Sequence, residues 1–261
     1  LENGEVIIDG GKGRDEIRIH NYNNVTVKGG EDGDNINASG ESNGNSRNAK
    51  SIIEGEEGND FIEVSSYKES QINGGVDDDN LYSYSNLIDH INGDDGNDSI
   101  RSEGFDSLIQ GGKGDDTINS YLNSDSWRYR FKDEIDINNN YIFDREFTQR
   151  LRGGEGDDVI TIRGQYTNQS YGKTKVEASG GEGNDKITIT DQQAGAANYN
   201  NFGKEYGIQT VEIEGGAGND EITVSGALDV SITTGEGLDT IVLTAQQFRT
   251  IKGGSRNVRN D

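Results

Sequence analysis

An eight-residue pattern of the form Gly-Gly-x-Gly-x-Asp-x-Ile recurs along the chain, and internal repetition constrains a fold more strongly than any other sequence feature. Two clear copies are residues 111–118 and 180–187. Ten copies are present, and the sixth position is aspartate in every one. These aspartates are Asp15, Asp34, Asp60, Asp79, Asp98, Asp116, Asp158, Asp185, Asp220 and Asp239.

The spacing of the copies defines the coil of a solenoid. Five of the nine intervals are 18 or 19 residues, and the longest is 42. An apolar residue stands two positions before every copy, and Ile or Leu fills the eighth position. Short alternating strands are therefore predicted on both sides of each loop. Because so narrow an apolar stripe is buried only by stacking, we predict an all-β parallel β-helix of about 10–11 coils, with two thin aliphatic columns as its core.

The loops have the composition of a calcium site. Glycine permits positive φ and inward carbonyls, and aspartate adds a carboxylate. Ca²⁺ takes six to eight oxygen ligands, so two loops one coil apart would share an ion. Ten loops would then hold about nine Ca²⁺, which would change the net charge from −24 to about −6. Glycine and aspartate also mark ordinary turns, but ten copies in register favour calcium, with folding coupled to binding.

Composition excludes several classes of function. A sequence pI near 4.3 argues against a nucleic-acid partner. There is no cysteine for a disulfide or a thiolate metal site. No apolar run approaches the length of a membrane span. We expect one monomeric domain over residues 1–261, cut from a larger protein because the sequence starts at Leu1 without a leader.

The ten loops resemble the hemolysin-type calcium-binding repeats of the RTX family over about residues 6–254. The resemblance implies a right-handed parallel β-roll in which the aspartates and loop carbonyls hold Ca²⁺. It also implies a secreted or cell-surface protein of a Gram-negative bacterium, such as an adhesin or exoprotein exported by a type I system. The glycines in the carbonyl-donor positions are Gly11, Gly13, Gly30, Gly58, Gly75, Gly96, Gly112, Gly114, Gly154, Gly156, Gly181, Gly183, Gly216, Gly218, Gly235 and Gly237.

One departure from the common RTX repeat concerns the second edge of the rod. The usual repeat has nine residues and calcium loops on both edges, whereas residues 20–24 between the first two loops contain no glycine–aspartate cup. The one-sided 19-residue pattern is similar to the calcium-dependent ice-binding domain of a giant bacterial adhesin. The position that carries threonine in that domain holds none here, so ice binding is not expected.

Insertions are predicted on the edge opposite the loops, at about residues 40–48, 121–149, 164–174 and 191–207. The last three are rich in aromatic and cationic residues, which indicates either a surface for a glycan or cell-surface protein or a satellite core that fastens the insertions to the rod. The residues proposed for such a surface are Trp127, Arg128, Tyr129, Arg130, Tyr166, Tyr171, Tyr199 and Tyr206.

A candidate extra metal site lies within the insertion at about residues 121–149. Asp136, Asn138, Asn140 and Glu146 resemble the ligands of an EF-hand loop that lacks one residue and its usual glycine. They predict an extra metal site or, alternatively, an Asn-rich turn.

Catalytic signatures are weak. There is no His-Glu-x-x-His motif, and the only histidines, His20 and His90, lie far from any nucleophile pattern. The acidic pairs are explained by the repeat. We therefore predict a protein that is not an enzyme. The alternative is a polysaccharide-active β-helix enzyme of the lyase or epimerase type, or its carbohydrate-binding module.

Overall fold

Aliphatic and polar residues alternate on both sides of each glycine–aspartate loop, and these segments form the strands of the computed structural model. It describes residues 5–40, 49–65, 67–84, 88–104, 106–123, 146–165, 173–191, 207–227, 229–244, 250–252 and 255–260. Within those ranges there are 22 strands and no helix. No described segment is therefore a helix long and apolar enough to cross a bilayer.

The strands follow one another in pairs along the chain. They are β1 (Glu5–Lys12), β2 (Glu16–His20), β3 (Asn24–Glu31), β4 (Asn35–Ser39), β5 (Lys50–Glu57), β6 (Phe61–Ser65), β7 (Glu69–Val76), β8 (Asn80–Tyr84), β9 (Ile88–Asp95), β10 (Ser99–Ser102), β11 (Asp106–Lys113), β12 (Thr117–Asn123), β13 (Glu146–Glu155), β14 (Val159–Gln165), β15 (Lys173–Glu182), β16 (Lys186–Asp191), β17 (Gly207–Ala217), β18 (Glu221–Ser225), β19 (Asp229–Glu236), β20 (Leu238–Leu243), β21 (Thr250–Lys252) and β22 (Ser255–Asn260).

Two parallel sheets run the length of the rod. The odd-numbered strands form sheet A in the order β1 to β21, and the even-numbered strands form sheet B in the order β2 to β22. Each of the first ten coils consists of one strand from each sheet, joined by a glycine–aspartate loop. The prediction of an all-β parallel solenoid with about eleven coils is confirmed.

Register is kept across the long intervals of the sequence. Ile118 pairs with Ile160, 42 residues later, and Ile160 pairs with Ile187. The strands that flank each long interval therefore keep the same register, as expected if the extra residues are insertions. The central parts of the predicted insertions lie outside the described residues, while their flanks, such as 121–123 and 146–149, belong to strands.

The core has four columns of inward side chains rather than the predicted two. The two columns beside the loops, called the loop-side columns, are aliphatic throughout, for example Ile109 in sheet A and Ile118 in sheet B. The two columns near the opposite edge, called the far-side columns, are aliphatic at both ends of the rod but polar in the middle. Their buried polar members are Ser51, Ser70, Asp89, Ser107 and Gln149 in sheet A, and Ser83, Ser102 and Ser120 in sheet B.

Candidate metal-binding edge

The ten loop aspartates lie in one file, because every glycine–aspartate loop connects sheet A to sheet B on the same edge. Nine consecutive hydrogen bonds link them: the backbone N–H of each aspartate donates to Oδ1 of the aspartate one coil further on, at 2.6–3.1 Å. Asp116, for example, donates to Asp158 Oδ1 at 2.8 Å. One carboxylate oxygen of each aspartate after Asp15 is thus fixed by the neighbouring backbone.

The second carboxylate oxygen, Oδ2, has no hydrogen-bond partner in any of the ten aspartates. Nine of these residues, Asp34 to Asp239, are at most 2% exposed. A buried, unsatisfied polar oxygen costs about 1–3 kcal/mol and more when it is charged. Ten such oxygens in one file therefore indicate that the folded edge is completed by a cationic ligand.

The glycine at the first position of each loop makes room for that oxygen. A Cβ atom on Gly153 would lie 2.0 Å from Asp158 Oδ2 and 2.6 Å from the carbonyl oxygen of Gly180 in the next coil. The corresponding glycines of the other coils, from Gly10 to Gly215, would place a Cβ atom 2.1–2.7 Å from their own aspartate. In these nine loops only a hydrogen atom fits at the first position. The tenth loop alone carries a larger residue there, Thr234.

The glycines at the second and fourth positions adopt the left-handed conformation. All sixteen predicted carbonyl-donor glycines have φ between +92° and +152°. Their carbonyl oxygens face the next coil at close range, so that a Cβ atom on Gly154 would lie 2.0 Å from the oxygen of Gly112. The predicted donors are thus brought together at one-coil spacing beside the aspartate file.

Four coils carry an acidic residue where the others have one of these glycines. Asp32, Glu56, Asp77 and Asp94 all have φ between 76° and 82°. A non-glycine residue in this region is strained by about 1–2 kcal/mol. These four residues are absent from the predicted donors, although their place in the repeat marks them as left-handed. They add carboxylates to the second to fifth coils.

A second, exposed ladder runs along the fifth position of the loops. Asp78 Oδ1 accepts the backbone N–H of Asn97 at 2.8 Å, and the same contact repeats along the rod as far as Leu238. Its direction is opposite to that of the buried aspartate file, because each side chain accepts from the following coil. The two ladders together fix the loop backbone on both sides.

Burial strongly affects protonation of the file. Desolvation raises the pKa of Asp79 to about 8, that of Asp116 and Asp158 to about 7, and that of Asp60, Asp98 and Asp185 to about 6. The backbone hydrogen bond to each carboxylate lowers its pKa, and neighbouring acidic side chains raise it further. A nearby divalent cation would favour the ionised form instead.

The donors of this edge fit calcium. They are all oxygens, which suit a hard cation. In the described part of the chain, no group of three or more His, Cys, Asp or Glu side chains is placed to hold a metal ion. The loop carbonyls that lie beside the aspartate file are the other candidate oxygen donors of this edge.

The other predicted site residues lie mainly outside the described ranges. This holds for Trp127, Arg128, Tyr129, Arg130, Tyr166, Tyr171, Tyr199 and Tyr206, and for Asp136, Asn138 and Asn140. Glu146 begins β13, but its side chain is also outside the description. The extra metal site and the insertion surface therefore stay predictions. His20 and His90 are exposed.

Sequence reasoning missed a row of aromatic and cationic side chains on the outer face of sheet B. The rings of Phe61 and Tyr82 are 5.3 Å apart, and those of Tyr82 and Tyr84 are stacked 6.2 Å apart. Arg101 lies 4.5 Å from the ring centre of Tyr121. We call this row, completed by Arg163 beside Tyr121, the aromatic–arginine strip. Alternation along successive strands places these residues on the outer face, so the strip could have been predicted from the sequence.

Comparison with known families gives one match. The profile of the RTX calcium-binding nonapeptide repeat matches four copies, over residues 88–106, 92–126 and 146–161. These segments contain Asp98, Asp116 and Asp158 of the buried file. Comparisons with curated proteins and with solved structures find no match. The predicted resemblance to RTX calcium-binding repeats is confirmed, with the match falling on residues 88–126 and 146–161.

Proposed function

We propose that this chain, which carries RTX calcium-binding repeats, is a non-catalytic module that folds around a single file of about nine Ca²⁺ ions. The observation that carries the proposal is the file of ten Oδ2 atoms, each buried and without a hydrogen-bond partner. Asp15 to Asp239 would contribute the carboxylates, and the left-handed glycines would contribute carbonyl oxygens.

The balance of interactions supports coupling between calcium and folding. The aliphatic columns are narrow, and the chain has a net charge of −24. Stacking nine buried carboxylates at one-coil intervals is unfavourable when they are ionised without counter-ions, because like charges repel more strongly away from water. Calcium supplies positive charge at the place where folding concentrates negative charge, so binding energy becomes folding energy.

This coupling suits a protein that folds outside the cell. RTX repeats are typical of secreted bacterial proteins. A chain that stays unfolded in a low-calcium cytoplasm can be exported before it folds, and it meets millimolar calcium after export. We therefore place the module in a secreted or surface-attached protein, such as an adhesin or exoprotein of a Gram-negative bacterium with type I secretion.

A calcium titration followed by far-UV circular dichroism tests the proposal. In EGTA at neutral pH we expect a largely unfolded spectrum, and in millimolar Ca²⁺ a β-sheet spectrum. The number of bound ions, measured by elemental mass spectrometry after desalting, should be about nine for each chain. A spectrum that is the same in EGTA and in calcium would contradict coupled folding.

A matched pair of variants shows whether the buried file is responsible. Asp158→Asn removes a buried charge, whereas Asp157→Asn changes the exposed neighbour to the residue that Asn184 supplies one coil further on. We expect Asp158→Asn to lose one or two bound ions and to need about tenfold more calcium to fold, because two ion positions adjoin each carboxylate. Asp157→Asn should behave like the wild type. Equal effects of both variants would assign the response to general charge.

A second candidate function is recognition of an acidic glycan, and the aromatic–arginine strip favours it. Aromatic faces stack on sugar rings, and arginine pairs with carboxylates in planar geometry. Arg101 lies between the rings of Tyr84 and Tyr121 at 5.6 and 4.5 Å. Tyr121 also lies in β12, the last described strand before the predicted aromatic insertion.

Retention on immobilised polygalacturonate tests this second function. Tyr121→Ala should weaken retention about tenfold, since a central aromatic contact is worth about 1.4 kcal/mol or more. Thr223→Ala is the control, because Thr223 lies on the same sheet three coils beyond Tyr121. This substitution should not change retention. Equal retention of wild type and Tyr121→Ala would remove the strip as a glycan surface, and release of unsaturated uronate products would instead indicate a lyase.

A further inference from the structure

The far-side columns contain a buried polar cluster that the repeat does not require. Its centre is Asp89 in β9, which is fully buried. Ser107 follows Asp89 in register on β11, and Gln149 follows Ser107 on β13. These positions hold valine in the eighth to tenth coils, so the polar residues are a local feature of the middle of the rod. The cluster faces away from the aspartate file.

Hydrogen bonds hold the Asp89 carboxylate in a fixed orientation. Ser83 Oγ donates to Asp89 Oδ1 at 2.7 Å, and Ser102 Oγ donates to Asp89 Oδ2 at 2.7 Å. Ser102 Oγ in turn accepts the backbone N–H of Gly104 at 3.1 Å. The hydroxyl protons of both serines are thus directed at the carboxylate.

Three more oxygens of the cluster are buried and have no hydrogen-bond partner: Ser107 Oγ, Ser120 Oγ and Gln149 Oε1. All three residues are at most 2% exposed. Gln149 directs its amide N–H₂ to the carbonyl oxygen of Gly104, which leaves its oxygen as the unsatisfied atom. Side chains in this state are completed by water or by an ion.

Gly104 shows that one of these oxygens, Ser107 Oγ, lies close to the Asp89 carboxylate. A Cβ atom on Gly104 would lie 2.4 Å from Asp89 Oδ2 and 2.6 Å from Ser107 Oγ. The two oxygens are therefore no more than about 5 Å apart, which is the greatest separation of two ligands that each lie about 2.3–2.6 Å from one cation. Ser120 is one coil from Ser102, its register partner.

We propose that Asp89, Ser107, Ser120 and Gln149 bind a single cation inside the core, separate from the file of ions on the loop edge. The donor set is one carboxylate with three neutral oxygens and no nitrogen or sulfur, which suits a hard cation such as Ca²⁺ or Na⁺. A cation would add to the stabilisation that the Ser83 and Ser102 hydroxyls give the buried Asp89 carboxylate. It would also join three successive coils beside the start of the insertion that follows Asn123.

Counting bound calcium in wild type and Asp89→Ser tests the proposal. Serine is the residue that the same column holds on either side, at Ser70 and Ser107, so the variant is compatible with the fold. After desalting from millimolar Ca²⁺ in sodium-free buffer, we expect Asp89→Ser to retain one calcium ion fewer than the wild type. The difference does not depend on how many ions the loop edge binds, so it can fail while the proposed function holds.

Sodium is distinguished from calcium by a second measurement. If the site takes Na⁺, wild type and Asp89→Ser bind the same number of calcium ions. In excess calcium, replacing choline chloride by sodium chloride then raises the melting temperature of the wild type. It does not raise that of Asp89→Ser. Ser51→Ala, which changes a serine of the same column that is hydrogen-bonded to Ser70, is the control and should keep the wild-type response.

The result that overturns the proposal is equal calcium content and equal sodium response in wild type and Asp89→Ser, which would assign the cluster to ordered water. Anomalous diffraction from wild-type crystals keeps the test independent of any variant that fails to fold. A calcium-soaked crystal should show a peak within about 2.6 Å of Asp89 and off the axis of the loop file. If neither this peak nor a sodium response is found, the site does not exist.

Discussion

Calcium-free protein is expected to be folded at pH 5 and unfolded at pH 8. In the folded state the pKa of Asp79 is about 8, that of Asp116 and Asp158 about 7, and that of Asp60 and Asp98 about 6. In an unfolded chain an aspartate has a pKa near 3.9. Between these values the folded state binds more protons than the unfolded state, so its stability falls as the pH rises from about 4 to about 8.

The size of the effect is large because the aspartates act together. Ionising a group whose pKa is raised by one unit costs about 1.4 kcal/mol. Six aspartates have pKa values raised by two or more, from 3.8 to between about 6 and about 8. The summed free energy of ionising these six carboxylates, even when halved for screening, is comparable with the roughly 5–15 kcal/mol stability of an ordinary domain.

Far-UV circular dichroism of protein freed of calcium by chelation and desalting measures this dependence, since EGTA itself binds calcium poorly at low pH. In excess Ca²⁺ the spectrum should not change between pH 5 and pH 8, because the cation holds the carboxylates in their ionised form. Asp79→Asn removes the group with the highest pKa. The calcium-free variant should stay folded to a higher pH than the calcium-free wild type. Its folding should also respond less to calcium. A calcium-free chain that is more folded at pH 8 than at pH 5 would contradict the sign of this linkage.

The regular parts of the fold could be predicted because each residue repeats its role ten times. The register of Asp116 with Asp158 follows from the repeat even though 42 residues separate them. The inward position of Ile118 and Ile160 follows from alternation. Period and alternation are properties of the sequence alone, and they determine both the sheet order and the edge on which the aspartates lie.

The irregular parts could not be predicted because their position and their polarity conflict. Alternation places Asp89 inside the rod, but a charged residue there reads as an exposed one until its serine partners, Ser83 and Ser102, are known. Glu56 and Asp94 likewise interrupt the glycine pattern, and only the backbone shows that they keep its left-handed conformation. The aromatic–arginine strip depends on contacts between coils, which composition does not reveal.

Gly153→Ala is expected to be among the most damaging single substitutions in the rod, although Gly153 is not among the glycines with positive φ. An alanine there is limited by space alone. Its Cβ atom would lie 2.0 Å from Asp158 Oδ2 and 2.6 Å from the backbone oxygen of Gly180. The carboxylate cannot turn away freely, because Asp158 Oδ1 already accepts the N–H of Asp116 at 2.8 Å.

Gly11→Ala separates this steric effect from backbone strain. Gly11 has φ +93°, but a Cβ atom there would meet no atom within 4 Å. We expect Gly11→Ala to cost about 1–2 kcal/mol, the penalty of the left-handed conformation. Overpacking and the loss of a buried charged contact should bring the cost of Gly153→Ala to about 4 kcal/mol. For a chain of this size, thermal unfolding in excess calcium should show a decrease of about 2–4 °C for each kcal/mol.

The calcium content of the folded variants distinguishes displacement of a ligand from loss of stability alone. Below its melting temperature, Gly153→Ala should bind one or two ions fewer than the wild type, because the displaced carboxylate adjoins two ion positions, whereas Gly11→Ala should bind the full number. Thr234 is consistent with this interpretation. It is the one first-position residue with a Cβ atom, and it stands in the last loop of the file, where Asp239 pairs with Arg256 of the next coil. If Gly153→Ala keeps every ion and melts no lower than Gly11→Ala, the first-position glycines do not make room for the ligand.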